Sequence, residues 1–192
     1  MRRLLVPFLF TSVALFSACS SSDTDKAQSS VEASSGFNDA DVMFARMMIP
    51  HHEQAIEMAD IALDPTSGAS QEVKDMATQI KGAQDPEIAQ MTQLLKSWGK
   101  SLEMDSGGMD HSSMMDGMLS TEEMAAFATL SGTKFDVAWI EGMIAHHEGA
   151  IDMADGVVSD GKNADITQLG NAIISGQKAE IETLKNLLGN KE

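Results

Sequence analysis

Apolar residues recur along this chain at three- and four-residue spacing, the period of a helix with one buried face. Phe44, Met48, Ala55, Ala59 and Ala62 form one such stripe, with Arg46, Glu53, Glu57 and Asp60 on the opposite side. Val73, Ala77, Ile80, Met91 and Leu95 form a second. Trp139, Met143, Ala150 and Ala154 form a third, and Ile166, Ile173, Leu184 and Leu188 a fourth. No stretch sustains the two-residue alternation of a strand. The polar run Asp64-Pro65-Thr66-Ser67-Gly68 separates the first two stripes, and a turn around Ser159-Asp160-Gly161 separates the last two. Helix, short turn, helix makes antiparallel neighbours, so the pattern predicts an all-α chain whose two helical hairpins form an antiparallel four-helix bundle. The hairpins occupy residues 37–100 and 120–192. Between them, residues 101–119 are rich in Gly, Ser and Asp and read as a loop. Ser120 and Glu123 have the spacing of a capping box, which predicts a short helix to about Leu130, ended by Ser131-Gly132.

The pattern is written twice. Met48-Ile49-Pro50-His51-His52-Glu53-Gln54-Ala55-Ile56-Glu57-Met58-Ala59-Asp60 returns as Met143-Ile144-Ala145-His146-His147-Glu148-Gly149-Ala150-Ile151-Asp152-Met153-Ala154-Asp155. Asp41 then aligns with Asp136 and Phe44 with Trp139. Gln84-Asp85-Pro86-Glu87-Ile88 aligns with Gln177-Lys178-Ala179-Glu180-Ile181. These copies hold four of the five histidines.

At 100° per residue, His51 and His52 flank the apolar stripe of their helix. Met48, His51 and Met58 share its inward face, as do Met143, His146 and Met153. Asp41 lies three turns before His52 and nearly in line with it. Gln84 and Glu87 fall within the stripe of Ile80, Ile88 and Met91, and Gln177 and Glu180 fall beside Ile173, Ile181 and Leu184. Counted back from the turns, Gln84 reaches the height of His52 and Gln177 that of His147. Polar groups aimed inward from every helix destabilise a bundle unless each finds a partner. A metal ion is one such partner, and mutual hydrogen bonding is another. The candidate ligands are His51, His52, His146, His147, Met48, Met143, Met58, Met153, Glu87 and Glu180. Glu53 and Glu148 project to the solvated side. Pro50 removes a backbone donor, frees the carbonyl of Arg46 and predicts a bend, which its counterpart Ala145 does not repeat.

The central loop points to the kind of metal. Met104, Met109, Met114, Met115 and Met118 surround His111 in a stretch with no core to fill. Thioethers suit Cu(I), and imidazole accepts Cu(I) and Cu(II). Met109-Asp110-His111-Ser112-Ser113-Met114 resembles the Met- and His-rich repeats of envelope copper-resistance proteins. That resemblance implies capture of copper, and of Ag(I) with it.

The ends bound the setting. Arg2-Arg3 precedes an apolar run, Leu4 to Phe16, too short for a comfortable membrane span. Leu15-Phe16-Ser17-Ala18-Cys19 resembles a bacterial lipobox. It implies a signal peptide of residues 1–18, lipid on Cys19, and an exported protein held at a membrane of the cell envelope. Residues 19–36 are rich in Ser, Asp and Ala and read as a flexible tether. Cys19 is the single cysteine, so no internal disulfide forms and stability comes from packing. The formal net charge of −16 argues against nucleic acid and against a basic membrane-surface helix, and it is compatible with attracting cations.

The paired His-His-Glu helices, each followed by a Gln-x-x-Glu-Ile helix, resemble the ferritin-like family catalogued as domain of unknown function 305, from about Phe37 to Leu188. The resemblance implies a ferritin-like bundle in exported bacterial proteins, with His51, His52, His146 and His147 at the family's matching positions and an association with copper. A ferritin-like fold also invites a dinuclear redox enzyme. Carboxylate-bridged bundles place Glu three residues before His on two helices, whereas Met48, Ile49, Met143 and Ile144 stand at those positions here. Three readings follow: a non-enzymatic protein that sequesters or transfers copper to an unspecified partner, a di-metal redox enzyme, and a metal-free structural or interaction module.

Overall fold

The protein is described by a computed structural model covering residues 36–103 and 115–190. Cys19 and residues 1–18 lie outside the described residues, as do Met104, Met109, His111 and Met114. Helix α1 (Asp39–Leu63) opens with a capping box in which the Asn38 side chain accepts the Asp41 N–H at 3.0 Å and the Asp41 carboxylate accepts the Asn38 N–H at 2.7 Å. It ends at Asp64, whose carboxylate accepts the Thr66 N–H and opens a single 3-10 turn, Pro65–Ser67. Helix α2 is Gln71–Ser97. The box of Ser120 and Glu123 opens α3 (Thr121–Phe127), which stops at Phe127 rather than Leu130. Helix α4 is Thr133–Asp160, so Ser159 and Asp160 belong to the helix and the turn begins at Gly161. Asn163 caps α5 (Ala164–Gly189). Helices α1 and α2 run unbroken through Pro50 and Pro86. Among the described residues there is no strand, and no helix is long and apolar enough to cross a membrane.

The four long helices bury the predicted stripes, except that Leu188 is only half-buried. Helix α1 packs on α2, α4 on α5, and α1 on α4. The start of α4 meets the end of α1, where the Trp139 indole N–H donates to the Met58 carbonyl at 3.0 Å, so these two helices run antiparallel. The core separates into two apolar clusters. One gathers Ala55, Ile80, Phe135, Trp139, Met143 and Leu184, and the other gathers Phe44, Met48, Met91, Leu95, Ala150 and Ile173. On every long helix the switch between clusters falls at the polar residues: His51 and His52, Gln84 and Glu87, His146 and His147, Gln177 and Glu180. A polar layer therefore crosses the middle of the bundle.

The hairpins are tied crosswise. The buried Asp41 carboxylate accepts the N–H groups of Lys162 and Asn163, in the turn of the other hairpin, at 3.0 and 3.1 Å. Its repeat partner Asp136 accepts the Ser70 N–H, beside the first turn, at 3.0 Å. Asp41 thus finds its partners in backbone and lies apart from the polar layer, although the helical count placed it in line with His52. Hydrogen bonds to a buried charge are worth more than neutral ones, and their loss leaves N–H groups unsatisfied. Asp41→Ala is expected to lower unfolding stability by about 2–4 kcal/mol, measured by denaturant titration. Asp39→Ala, at an exposed position of the same turn, is the control and should change stability by under about 0.5 kcal/mol. Equal small effects would contradict the tie.

Candidate metal centre

Helices α1 and α4 cross at their histidines. The rings of His51 and His146 lie 3.8 Å apart between centroids at an interplanar angle of 42°, and all four imidazoles are fully buried. Three rings share one arrangement of partners. His52 Nε2 lies 2.8 Å from a Glu87 carboxylate oxygen, and His147 Nε2 lies 2.8 Å from one of Glu180. His51 Nε2 lies 3.4 Å from the Asp116 main-chain carbonyl. Carboxylate and carbonyl oxygens accept, so each Nε2 carries the hydrogen and donates. Each Nδ1 is left without a partner, and neither nitrogen of His146 has one. An imidazole fixed through one nitrogen by an outer acceptor, with the other nitrogen open, is the usual posture of a metal-binding histidine. The amides of Gln84 and Gln177, buried in the same layer, also lack partners. The donor chemistry therefore fits an ion bound through imidazole.

A strap of main chain closes over this pair. Residues Met115–Leu119 run along α4, and a Cβ on Gly149 would stand 1.8 Å from the Asp116 carbonyl oxygen. A Cβ on Gly117, at φ +84°, would stand 2.3 Å from the Ala145 carbonyl oxygen. Both positions need glycine. The Gln54 side chain pins the strap from α1, donating to the Leu119 carbonyl and accepting its N–H, each at 2.8 Å. Gln54 and Gly149 are repeat counterparts. The sequence signal for the strap was this mismatch inside a closely matched repeat, and Asp116, Gly117, Gln54 and Gly149 are the residues that helical spacing alone missed.

The candidate ligands divide accordingly. All four histidines lie in the buried layer, where His51 and His146 face each other while His52 and His147 turn towards Glu87 and Glu180. Met48 and Met143 are fully buried on their flanks, in opposite apolar clusters. Met58 points inward, but its methyl lies against Gly142 within an apolar cluster. Met153 is half-buried: it packs against the second apolar cluster and also lines an outer groove with Met43 and Met47. Glu87 and Glu180 hold ring N–H groups, which gives them a positioning role in place of the ligand role expected. Met115 is buried and Met118 half-buried, so these two do have packing partners.

Burial sets the electrostatics. It pushes the His51 pKa down from 6.5 to about 3, with the neighbouring His52 adding to the shift and the Asp116 carbonyl opposing it. Burial also holds His146 well below its usual value, helped by His51, His147 and His52, with the His51 backbone weakly opposing. Both rings are therefore neutral at pH 7, with a lone pair to offer. Above pH 6.5 they are neutral folded and unfolded and contribute nothing to pH dependence. Below it the unfolded chain takes up protons that the folded chain refuses, so stability falls as pH drops towards about 3. Between pH 6.5 and 5 the metal-free protein is expected to lose about 1.4 kcal/mol per pH unit for each such ring, read from urea unfolding. His51→Leu should remove one ring's share, and a flat profile across that window would contradict the assignment.

Residues 41–188 match the family described as Domain of unknown function (DUF305). The DUF305 fragment from Deinococcus radiodurans is similar at 28% identity and a TM-score of 0.71, covering 80% of this chain and 97% of that one. A DUF305 protein from Streptomyces coelicolor is similar at 31% identity and a TM-score of 0.72, covering 79% and 93%. CopM in its Cu(I)-bound form is similar at 31% identity and a TM-score of 0.64, covering 78% and 96%. No curated protein matches the sequence. With the match running through both halves of the duplicated hairpin, the chain belongs to the DUF305 family.

Proposed function

We propose that this chain binds a soft monovalent metal ion, Cu(I) with Ag(I) as its analogue, between His51 and His146. It holds the ion as cargo to be stored or handed on. The observation that carries this reading is the facing pair itself: two buried neutral rings, 3.8 Å apart, with three of their four nitrogens unpartnered. The donor count favours a low-coordinate ion. Among the described residues no three His, Asp or Glu side chains gather into one metal site. Zinc, iron and the hard divalent ions, which take four or more nitrogen, sulfur or oxygen donors, are poorly served by such a set. Cu(I) accepts two imidazoles, and the thioethers of Met48 and Met143 border the layer. CopM, 30–31% identical, has been solved with Cu(I), with Cu(II) and with silver, which supports the same cargo here.

A carboxylate-bridged redox centre is disfavoured, because Glu87 and Glu180 are already engaged by ring N–H groups. A metal-free module is disfavoured because it would keep nine buried polar atoms unpartnered for no return. The reading includes capture of ions by Met104, Met109, His111 and Met114, and attachment to an envelope membrane through lipid on Cys19. The matching test is His146→Leu, which replaces an unpartnered polar ring by an apolar group of similar bulk. It is expected to leave metal-free thermal stability unchanged or raised. It should weaken Cu(I) binding at the core, measured against a competing chelator, by on the order of a hundredfold. Unchanged affinity would overturn the assignment.

A further inference from the structure

The two ends of the α1–α4 seam are repeat-related, yet they are built differently. At one end the fully buried Met58 lies across α4, its methyl 3.3 Å from where a Cβ on Gly142 would stand, with Leu119 capping the contact. Ala138 and Ile61 complete that end, both partly buried against the cluster. The counterparts at the other end are Met153 for Met58, Met43 for Ala138, Met47 for Gly142 and Gly156 for Ile61. One end of the seam thus closes with one methionine over two small residues. The other has three methionines, and a glycine where the isoleucine would cover them. The result is an open groove of about 220 Å³ lined by Met43, Met47, Met153, Gly156 and Asp160 among others. Met43 is 54% exposed.

The three methionines line this one groove along the seam. At about 1.5 Å per residue, Met47 and Met43 lie about 6 and 12 Å from His51 towards the start of α1, and Met153 about 10.5 Å from His146 towards the end of α4. The helices are antiparallel and their histidines stack, so Met153 stands between Met43 and Met47 in height, across the groove from both. Met153 packs partly against the core, but packing does not require Met43 and Met47, because the repeat-related end packs with alanine and glycine at those two positions.

We propose that Met43, Met47 and Met153 form a surface site for a soft monovalent metal ion, Cu(I) or Ag(I), distinct from the histidine centre. Neutral thioethers bind soft ions and leave Mg²⁺, Ca²⁺ and alkali ions to water. The exposed Asp160 carboxylate at the rim and the −16 charge of the chain favour a cation there over a neutral apolar ligand. The site stands independently of what the histidines bind.

The test is titration of silver nitrate into the chain carrying ¹³C-methyl methionine, followed by NMR. The methyl signals of Met43, Met47 and Met153 are expected to shift together and saturate with a single ion. They should do so in the wild type and equally in the His51→Leu, His146→Leu double variant, which reports the histidine centre separately. Replacing all three methionines by leucine should remove one bound Ag(I) per chain while circular dichroism and the thermal midpoint hold. Should that variant be unstable, Met43→Leu alone, at the most exposed position, must weaken the silver response of Met47 and Met153 by about tenfold. Methyl signals that shift independently of one another, or an unchanged silver count in the triple variant, would overturn the proposal.

Discussion

The polar layer across the middle of the bundle is the constraint on which the rest of this structure depends. Four imidazoles, two amides and the Glu180 carboxylate are buried there, with the half-buried Glu87 at the edge. Each buried donor or acceptor without a partner costs about 1–3 kcal/mol, and nine such atoms lie in the layer. The surroundings compensate. Two apolar clusters sandwich the layer, Asp41 and Asp136 lock each hairpin to the other's turn, and Glu87 and Glu180 fix the outer ring nitrogens. What remains unsatisfied is concentrated on the inner nitrogens and the two glutamines. Leucine at these positions would leave no such atoms unsatisfied, and it is this concentration of open donors that supports the proposed ligand site.

Duplication explains the scaffold, and the departures from duplication explain its chemistry. Two hairpins related by repetition bring like residues together at the seam, which is why His51 meets His146. Where the halves differ, something non-repeated is accommodated. Gln54 opposite Gly149 gives the strap a latch on one helix and a bare surface on the other. Met43, Met47 and Gly156 opposite Ala138, Gly142 and Ile61 open one end of the seam and seal the other. The strap also explains why the centre is fully buried although the seam is lined by small residues.

Much of this was legible in the residue pattern, because helical periodicity is local. The four stripes, the Asp64–Gly68 turn, the Ser120–Glu123 capping box and the inward histidines all follow from spacing within a dozen residues. The misreadings share a different cause. Met153 was counted inward because azimuth on its own helix matches that of Met58, but exposure also depends on local cover, and Gly156 follows Met153 on α4 where Ile61 follows Met58 on α1. Asp41 lines up with His52 along α1, yet its partners Lys162 and Asn163 lie 121 and 122 residues away. Glu87 and Glu180 have the reach to touch the outer ring nitrogens, and their carboxylates accept from the rings there. Strap docking rests on main-chain contact with two glycines, which leaves no hydrophobic period to read.

The account centres on one ion shared by imidazoles from the two halves of the repeat. X-ray absorption at the copper edge, on the chain loaded with equimolar Cu(I), tests this most directly. The account predicts imidazole scattering in the first shell from two rings, lost in the His51→Leu, His146→Leu variant. A shell of sulfur or oxygen alone, the same in wild type and variant, would contradict it.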